Sequence, residues 1–326
     1  MPDLKHIIFE AVKDDLAEIE AALEENLTSH LDIVRQAAGH ILFSGGKRLR
    51  PLLMILAARL CGYTGRADAS LSNIFEYIHA ATLLHDDLVD EANLRRGKPV
   101  AHSIWGNSIA VLVGDFLLAR SLSIGVSTGR MEVIQVIASI TEEMSQGEIH
   151  QLMQKGKLDL SEAEYMEIIR RKTAVLIQGA CHVGALIADA DSEAAEALSA
   201  YGFNLGMAFQ MADDLLDYLA DTASLGKAVG ADLREGKMTL PLIRSLETAS
   251  PEGRGRMEEI IGNPKFSARE FEELVDMLTA CGGISYTKEK AAIYVGNAKK
   301  AISGFEASDS KAILLNIADY VLERKV

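Results

Sequence analysis

A chain of 326 residues, 48% of them apolar, can form one large or two ordinary domains around a sizeable core. Its 47 acidic against 33 basic residues leave a formal net charge of -14, which argues against nucleic acid as a partner, because phosphate backbones demand a basic surface. Cys61, Cys181 and Cys281 lie far apart with no C-x-x-C pair, so neither a disulfide framework nor a zinc site is expected, and a reducing, cytoplasmic location is.

From Met1 to Glu20 the chain carries Asp3, Glu10, Asp14, Asp15, Glu18 and Glu20, the opposite of a basic secretory leader. No run is expected to reach the roughly eighteen apolar residues of a membrane span. Leu16, Ile19, Ala22 and Leu23 mark the inner stripe of an acidic helix, and Leu31, Ile33, Val34, Ala37 and Ile41 that of the next. Ser44-Gly45-Gly46 ends it. Pro51 opens another apolar helix at a position where its missing N–H has no partner to lose. Helices are predicted over 68–92, 101–127, 131–155, 161–188 and 192–220. Gly226 to Gly236 reads as a glycine- and charge-rich loop, Pro241 begins a further helix, and three or four shorter ones run to Val326. No alternating strand pattern of useful length occurs. With only six prolines and no linker composition, the expectation is one all-α domain over 1–326, about ten to thirteen helices around a central apolar cavity.

Two copies of D-D-x-x-D stand out: Asp86-Asp87-Leu88-Val89-Asp90 and Asp213-Asp214-Leu215-Leu216-Asp217. At 3.6 residues per turn, Asp86 and Asp90 share a helix face, as do Asp213 and Asp217. A single such motif is common on solvated helices. These two interrupt apolar runs, Ala80 to Leu84 and Ala208 to Ala212, where crowded carboxylates need a positive partner. Mg2+ suits them, because it takes oxygen ligands from one or two carboxylates and completes its shell with substrate phosphates.

Four basic clusters accompany the acids. Gly45-Gly46-Lys47-Arg48-Leu49-Arg50-Pro51 places cations on a flexible turn at a helix start, a setting that suits an anion or simply caps the helix. Arg95-Arg96-Gly97-Lys98 follows the first acidic helix, and arginine forks suit a phosphate or plain charge balance. Arg170-Arg171-Lys172-Thr173 lies on a helix. The loop from Gly226, with Lys227 and Lys237, follows the second motif. His79 shares the Asp86 face two turns away, where a histidine is more often a satisfied core residue; Phe209 and Gln210 precede the second motif. No nucleotide-binding glycine loop and no Ser-His-Asp or Cys-His set is apparent. The inventory fits ionisation of a diphosphate ester, with metals and cations on the leaving group and an apolar chamber for the carbocation.

With these motifs in this order, from about Leu23 to the C-terminus, the chain resembles the trans-isoprenyl diphosphate synthases, and looks most like the bacterial long-chain, octaprenyl-type members. The resemblance implies the isoprenoid synthase fold, a homodimer and three Mg2+ ions per site. It implies that Lys47, Arg50, His79 and Arg96 bind isopentenyl diphosphate, and that Arg95, Lys172, Gln210 and Lys227, with Lys237 nearby, hold the allylic diphosphate. Asp86, Asp90 and Asp213 would ligate metal, while Asp87, Asp214 and Asp217 act through water or orient the others. Thr173 would shield the developing cation. Ala81 and Thr82, one turn (about 5.4 Å) deeper than Asp86, are small where short-chain members place an aromatic floor, so a long product of about C40, such as a quinone side chain, is expected. Tyr77, Ile78 and Met131 are candidate floors.

Three other readings stay open on these residues: a terpene cyclase, a noncatalytic subunit of a two-component synthase, and a metal phosphohydrolase suggested by His85-Asp86. Lys47, Arg50 and His79 argue against the first, retention of both aspartate motifs against the second, and the scatter of the other histidines against the third.

Overall fold

The computed structural model describes residues 3–65, 67–219 and 230–324. The fold is all-α. In chain order the helices are α1 (Leu4–Ala11), α2 (Lys13–Asn26), α3 (Asp32–Leu42), α4 (Leu49–Leu60), α5 (Asp68–Val89), α6 (Ala101–Trp105), α7 (Asn107–Ser127), α8 (Met131–Gln154), α9 (Glu162–Ile169), α10 (Val175–Ile187), α11 (Ser192–Leu219), α12 (Ala231–Arg234), α13 (Leu240–Thr248), α14 (Pro251–Ile261), α15 (Ala268–Ala280), α16 (Gly283–Ala301) and α17 (Asp309–Glu323). The chain divides into two compact units. The first comprises Met1–Glu142, Leu176–Gly202 and Ala301–Ile317, and the second Glu143–Val175, Phe203–Lys300 and Ala318–Val326.

The first unit is organised on α5, which packs against α2, α3, α4 and α7. Its Ile74, Phe75, Tyr77, Ile78, Ala80, Ala81 and Leu84 are buried, the pattern of a helix enclosed on most sides rather than along one stripe. Truncating a side chain such as Phe75 here costs about 3–5 kcal/mol through lost transfer energy and an unfilled cavity. One buried polar tie helps fix the register of α5: the Tyr77 hydroxyl donates to Leu23 O at 2.9 Å, while Ser121 Oγ of α7 shares its proton between Leu117 O at 2.9 Å and Ile74 O at 3.3 Å.

The second unit packs α9, the end of α11, α13, α14 and α15 around Tyr165, Ile168, Met211, Leu215, Tyr218, Leu242 and Leu274. Ser161 with Glu164, and Ser267 with Glu270, close capping boxes that set where α9 and α15 begin.

Several expectations need correction. The helix predicted over 101–127 is two, because Gly106 adopts φ +84° between α6 and α7. The helix predicted over 161–188 is interrupted at Arg170–Ala174 by a π-helical turn, the kind of insertion that re-aims side chains at functional sites. Gly147 on α8 accommodates it: a Cβ there would stand 2.9 Å from the Lys172 backbone nitrogen. The end of the predicted 226–236 loop is helical, α12. A two-residue hairpin, Leu94–Arg95 with Lys98–Pro99, turns through Arg96 and Gly97 at φ +52° and +74°, as a two-residue hairpin with positive φ at both central positions requires; it is too short to leave an alternating pattern. Finally, α7 is long and apolar enough to cross a membrane, with a mean hydropathy of 1.8 over its best window. One side of it, with Val113, Leu117 and Ser121, is buried along α5, while Val111, Leu112, Leu122 and Val126 are exposed.

Candidate active site

In the first unit the glycine turn, α5 and the hairpin bring five cationic or titratable groups together. Arg48 is the pin. It is buried, sits at φ +48°, and pairs with Glu20 at 2.6 Å and Glu76 at 2.8 Å while donating to Leu42 O at 2.7 Å. Lys47 before it is exposed and Arg50 after it half-buried. Gly45 at φ +103° takes a backbone conformation that favours glycine, and a Cβ on Gly46 would lie 3.0 Å from an Arg48 guanidinium nitrogen. Burial and the charges of Arg50, Arg95, Arg96 and Arg48 hold the His79 imidazole well below its ordinary pKa. His79 is therefore a neutral hydrogen-bonding group near four guanidinium charges, of which Arg48 is paired with Glu20 and Glu76 and Arg95 with Asp87.

The first aspartates project from the last turn of α5. Asp86 and Asp90 are half-buried and Asp87 is buried. The Arg95 Nε donates to both Asp87 oxygens, at 2.8 and 3.0 Å, and a terminal nitrogen lies 2.7 Å from one of them. Asp87 thus aims Arg95. His85, which prompted the phosphohydrolase reading, has Nε2 at 3.1 Å from Val111 O of α7, and a Cβ on Gly114 would come 2.2 Å from that nitrogen. The imidazole anchors α7 to α5 through close packing.

In the second unit, Lys172, Thr173, Gln210, Asp214, Asp232, Lys237 and Tyr165 are among the residues lining an open cleft. Lys172 Nζ is 2.5 Å from Glu148, and Lys237 Nζ is 2.5 Å from Glu235. Thr173 Oγ1 donates to Gln210 Oε1 at 2.7 Å, Gln210 Nε2 to Asp214 Oδ1 at 2.8 Å, and the Tyr165 hydroxyl to Asp214 Oδ2 at 2.6 Å. Burial raises the Asp214 carboxyl to about 7; the charges of Asp232 and Asp213 add to this, and the two donated hydrogen bonds oppose it. Asp217, fully buried, accepts from the Asp232 N–H at 3.1 Å and so holds α12. Asp213 is the outermost of its triplet, 38% exposed and 2.7 Å from Arg324, whose guanidinium lies 4.4 Å from the Phe209 ring centre. Lys227 lies outside the described residues.

Each acidic triplet occupies the last turns of its helix, the negative end of the helix dipole, where a cation is favoured. Among the described residues no three His, Cys, Asp or Glu side chains converge as a closed metal cage. Half-exposed carboxylates offered singly or in pairs fit a hard divalent cation that takes its other ligands from phosphate and water.

Residues 31–278 match the family Polyprenyl synthetase. The chain belongs to this family. It is 37% identical to the octaprenyl diphosphate synthase of Escherichia coli K12 over 319 residues, 97% of this chain and 98% of that one. It is 34% identical to the geranylgeranyl diphosphate synthase of Methanosarcina mazei over 324 residues, 98% of each chain. The crystal structure of a polyprenyl synthase from Caulobacter crescentus CB15, complexed with calcium and isoprenyl diphosphate, superposes with a TM-score of 0.93 at 40% identity, covering 99% of this chain and 98% of that one. As a polyprenyl synthetase the protein is a prenyltransferase.

Of the chain-length candidates, Ala81 and Ile78 are buried, and Tyr77 is buried with its hydroxyl tied to α2. Thr82 folds back to donate to His79 O at 2.9 Å. Met131 is 62% exposed at the start of α8 rather than enclosed. Sequence reasoning placed Arg48 in a basic cluster without giving it a role, and it missed Tyr165, Glu148 and Arg324.

Proposed function

We propose that the protein is a Mg2+-dependent trans-prenyltransferase that adds isopentenyl diphosphate repeatedly to an allylic diphosphate such as farnesyl diphosphate and releases a long-chain product of about C40. The observation that carries the reading is the neutral His79 near Arg50, Arg95 and Arg96 beside the Gly45-Gly46 turn that Arg48 pins. A diphosphate without its own metal finds there hydrogen-bond donors and compensating charge in one place, as isopentenyl diphosphate requires. Lys47, Arg50, His79 and Arg96 bind it. The allylic diphosphate is held by Arg95, Lys172, Gln210 and Lys227, with Lys237 near.

Asp86, Asp90 and Asp213 supply the oxygen ligands for Mg2+, three ions in all, and Asp87, Asp214 and Asp217 orient neighbouring groups. Bound Mg2+ neutralises charge developing on the leaving diphosphate. The protein's residues do the rest. Lys172 and Lys237 add charge to the leaving group, Thr173 and Gln210 face the carbon that becomes cationic as its C–O bond breaks, and the apolar walls exclude water that would quench it. The isopentenyl double bond attacks that carbon, a proton passes to the released diphosphate, and an allylic diphosphate five carbons longer results.

Length is the finer part of the reading. The small side chains at Ala81 and Thr82 and the octaprenyl synthase similarity support a long product. The reading treats 1–326 as one catalytic domain acting as a homodimer. The exposed Val111, Leu112, Leu122 and Val126 of α7 offer a second copy an apolar face, and the free thiols Cys61, Cys181 and Cys281 suit the cytoplasm. The expected role is to supply a quinone side chain.

The test incubates the purified chain alone with Mg2+, farnesyl diphosphate and labelled isopentenyl diphosphate and sizes the products. Material near C40 is expected. An endpoint at C15 or C20 refutes the length, and absence of elongation refutes the synthase reading in favour of a noncatalytic subunit.

A further inference from the structure

We infer that Tyr165 is a positioning residue for ionisation, acting through Asp214 and Gln210 to fix which side of the Thr173 hydroxyl meets the reacting carbon; the inference rests on the prenyl-transfer reading above. Tyr165 is 3% exposed and Asp214 4%. The single phenolic proton goes to Asp214 Oδ2 at 2.6 Å, and the other carboxylate oxygen takes Gln210 Nε2 at 2.8 Å. With Asp214 accepting at both oxygens, the Gln210 amide turns its NH2 edge toward Asp214 and its carbonyl edge away. That carbonyl also only accepts, so Thr173 must give it its one proton, at 2.7 Å.

The direction of each hydrogen bond in the chain is thus dictated from its buried end. Thr173 Oγ1 is left with lone pairs and no proton on the side of the cleft it lines with Lys172 and Lys237. A lone pair aimed at developing positive charge stabilises it, whereas a hydroxyl dipole turned the other way opposes it. The register of Tyr165 is set by the capping box at the start of α9, and the π-helical turn at Arg170–Ala174 carries Thr173. Two local devices therefore hold the ends of a four-residue relay that the aspartate motif alone does not explain.

The test compares kcat and KM of the full chain, with Mg2+, farnesyl diphosphate and isopentenyl diphosphate, for wild type, Tyr165→Phe, Thr173→Val, Thr173→Ser and the Tyr165→Phe/Thr173→Val double variant. Tyr165→Phe is expected to lower kcat roughly tenfold, the loss of one short buried hydrogen bond that holds the relay. The KM for isopentenyl diphosphate is expected to stay within about twofold, since none of Lys47, Arg50, His79 and Arg96 belongs to the relay. The double variant is expected to be no slower than Thr173→Val, because Tyr165 acts only through that hydroxyl, while Thr173→Ser keeps the dependence on Tyr165.

Asp214→Asn, close in volume, is a second probe that holds if Tyr165→Phe folds poorly. Its NH2 can face Gln210, flip that amide and turn the Thr173 proton to the cleft, so kcat falls by roughly tenfold. Mg2+ affinity measured by calorimetry stays at the wild-type value. Multiplicative losses in the double variant, a loss confined to KM, or an Asp214→Asn defect that tracks Mg2+ affinity overturns the inference while leaving the synthase reading intact. A wild-type chain that does not elongate the substrate overturns both.

Discussion

The two aspartate motifs share a spacing and a place at the end of a long helix, yet their middle carboxylates have opposite company. Asp87 is buried against the guanidinium of Arg95, a charged partner held by bidentate contact. Asp214 is buried against two neutral donors, Tyr165 and Gln210. The first motif therefore fixes a guanidinium beside its buried carboxylate, and the second fixes hydroxyl and amide dipoles around its own. The outer carboxylates of the two motifs differ less: Asp86, Asp90 and Asp213 all keep some exposure. Helical spacing decides which oxygens point outward, and the neighbouring elements decide what the inward one does.

The largest effect separates outer from middle positions. Asp86→Ala is expected to lower kcat by about a thousandfold through lost charge stabilisation of the leaving group, with a matching loss of Mg2+ affinity in a calorimetric titration. A variant that retains both makes the outer position dispensable and undoes the division of labour.

Stability distinguishes the two middle carboxylates. Arg95→Ala leaves Asp87 buried without its cation and should lower the unfolding free energy by about 3 kcal/mol in urea. Tyr165→Phe removes one hydrogen bond and should cost about 1–2 kcal/mol. Equal losses mean that the two settings are energetically alike after all.

A pH series probes the cationic side alone. His79 is held well below its ordinary pKa, first by burial and then by Arg50, Arg95, Arg96 and Arg48. In the unfolded chain its pKa returns to about 6.5. Below that value the unfolded state binds a proton that the folded state refuses, so stability falls as pH drops from there toward the folded pKa. His79→Gln should therefore lose less stability than wild type between about pH 7 and pH 5, as read from urea midpoints. Identical slopes remove His79 from the field of these charges.

The smallest expected change in rate comes from Ala81→Tyr, one turn below Asp86. Turnover should stay within about threefold while the longest product shortens. Unchanged length means the tail leaves α5 by another route.

Much of this is legible in residues alone, because helical period and helix-end chemistry are local. The 3.6-residue stripe of α5, the acids at its end and the Gly45-Gly46 turn each depend on neighbours within a few positions. The breaks are harder to see. Gly106 divides a continuous apolar pattern, and the π-helical turn at Arg170–Ala174 keeps a helical composition while shifting the register of α10. The apolar character of α7 is also easy to underrate, since Asp115 and Arg120 interrupt a stretch that still averages apolar enough to pass for a membrane span.

An all-α chain, two acidic helix ends, the basic clusters and, through their order, membership of the polyprenyl synthetases all come from the sequence without help. The choice of partner for each group comes from the folded chain. Folding buries Arg48 between Glu20 and Glu76, aims Arg95 with Asp87, keeps His79 neutral, and strings Tyr165, Asp214, Gln210 and Thr173 into one directed relay. The physical reason is range. Propensity and periodicity act over a few residues, while burial and hydrogen-bond direction belong to side chains far apart in sequence that meet in a low-dielectric interior, where each buried proton must have one acceptor.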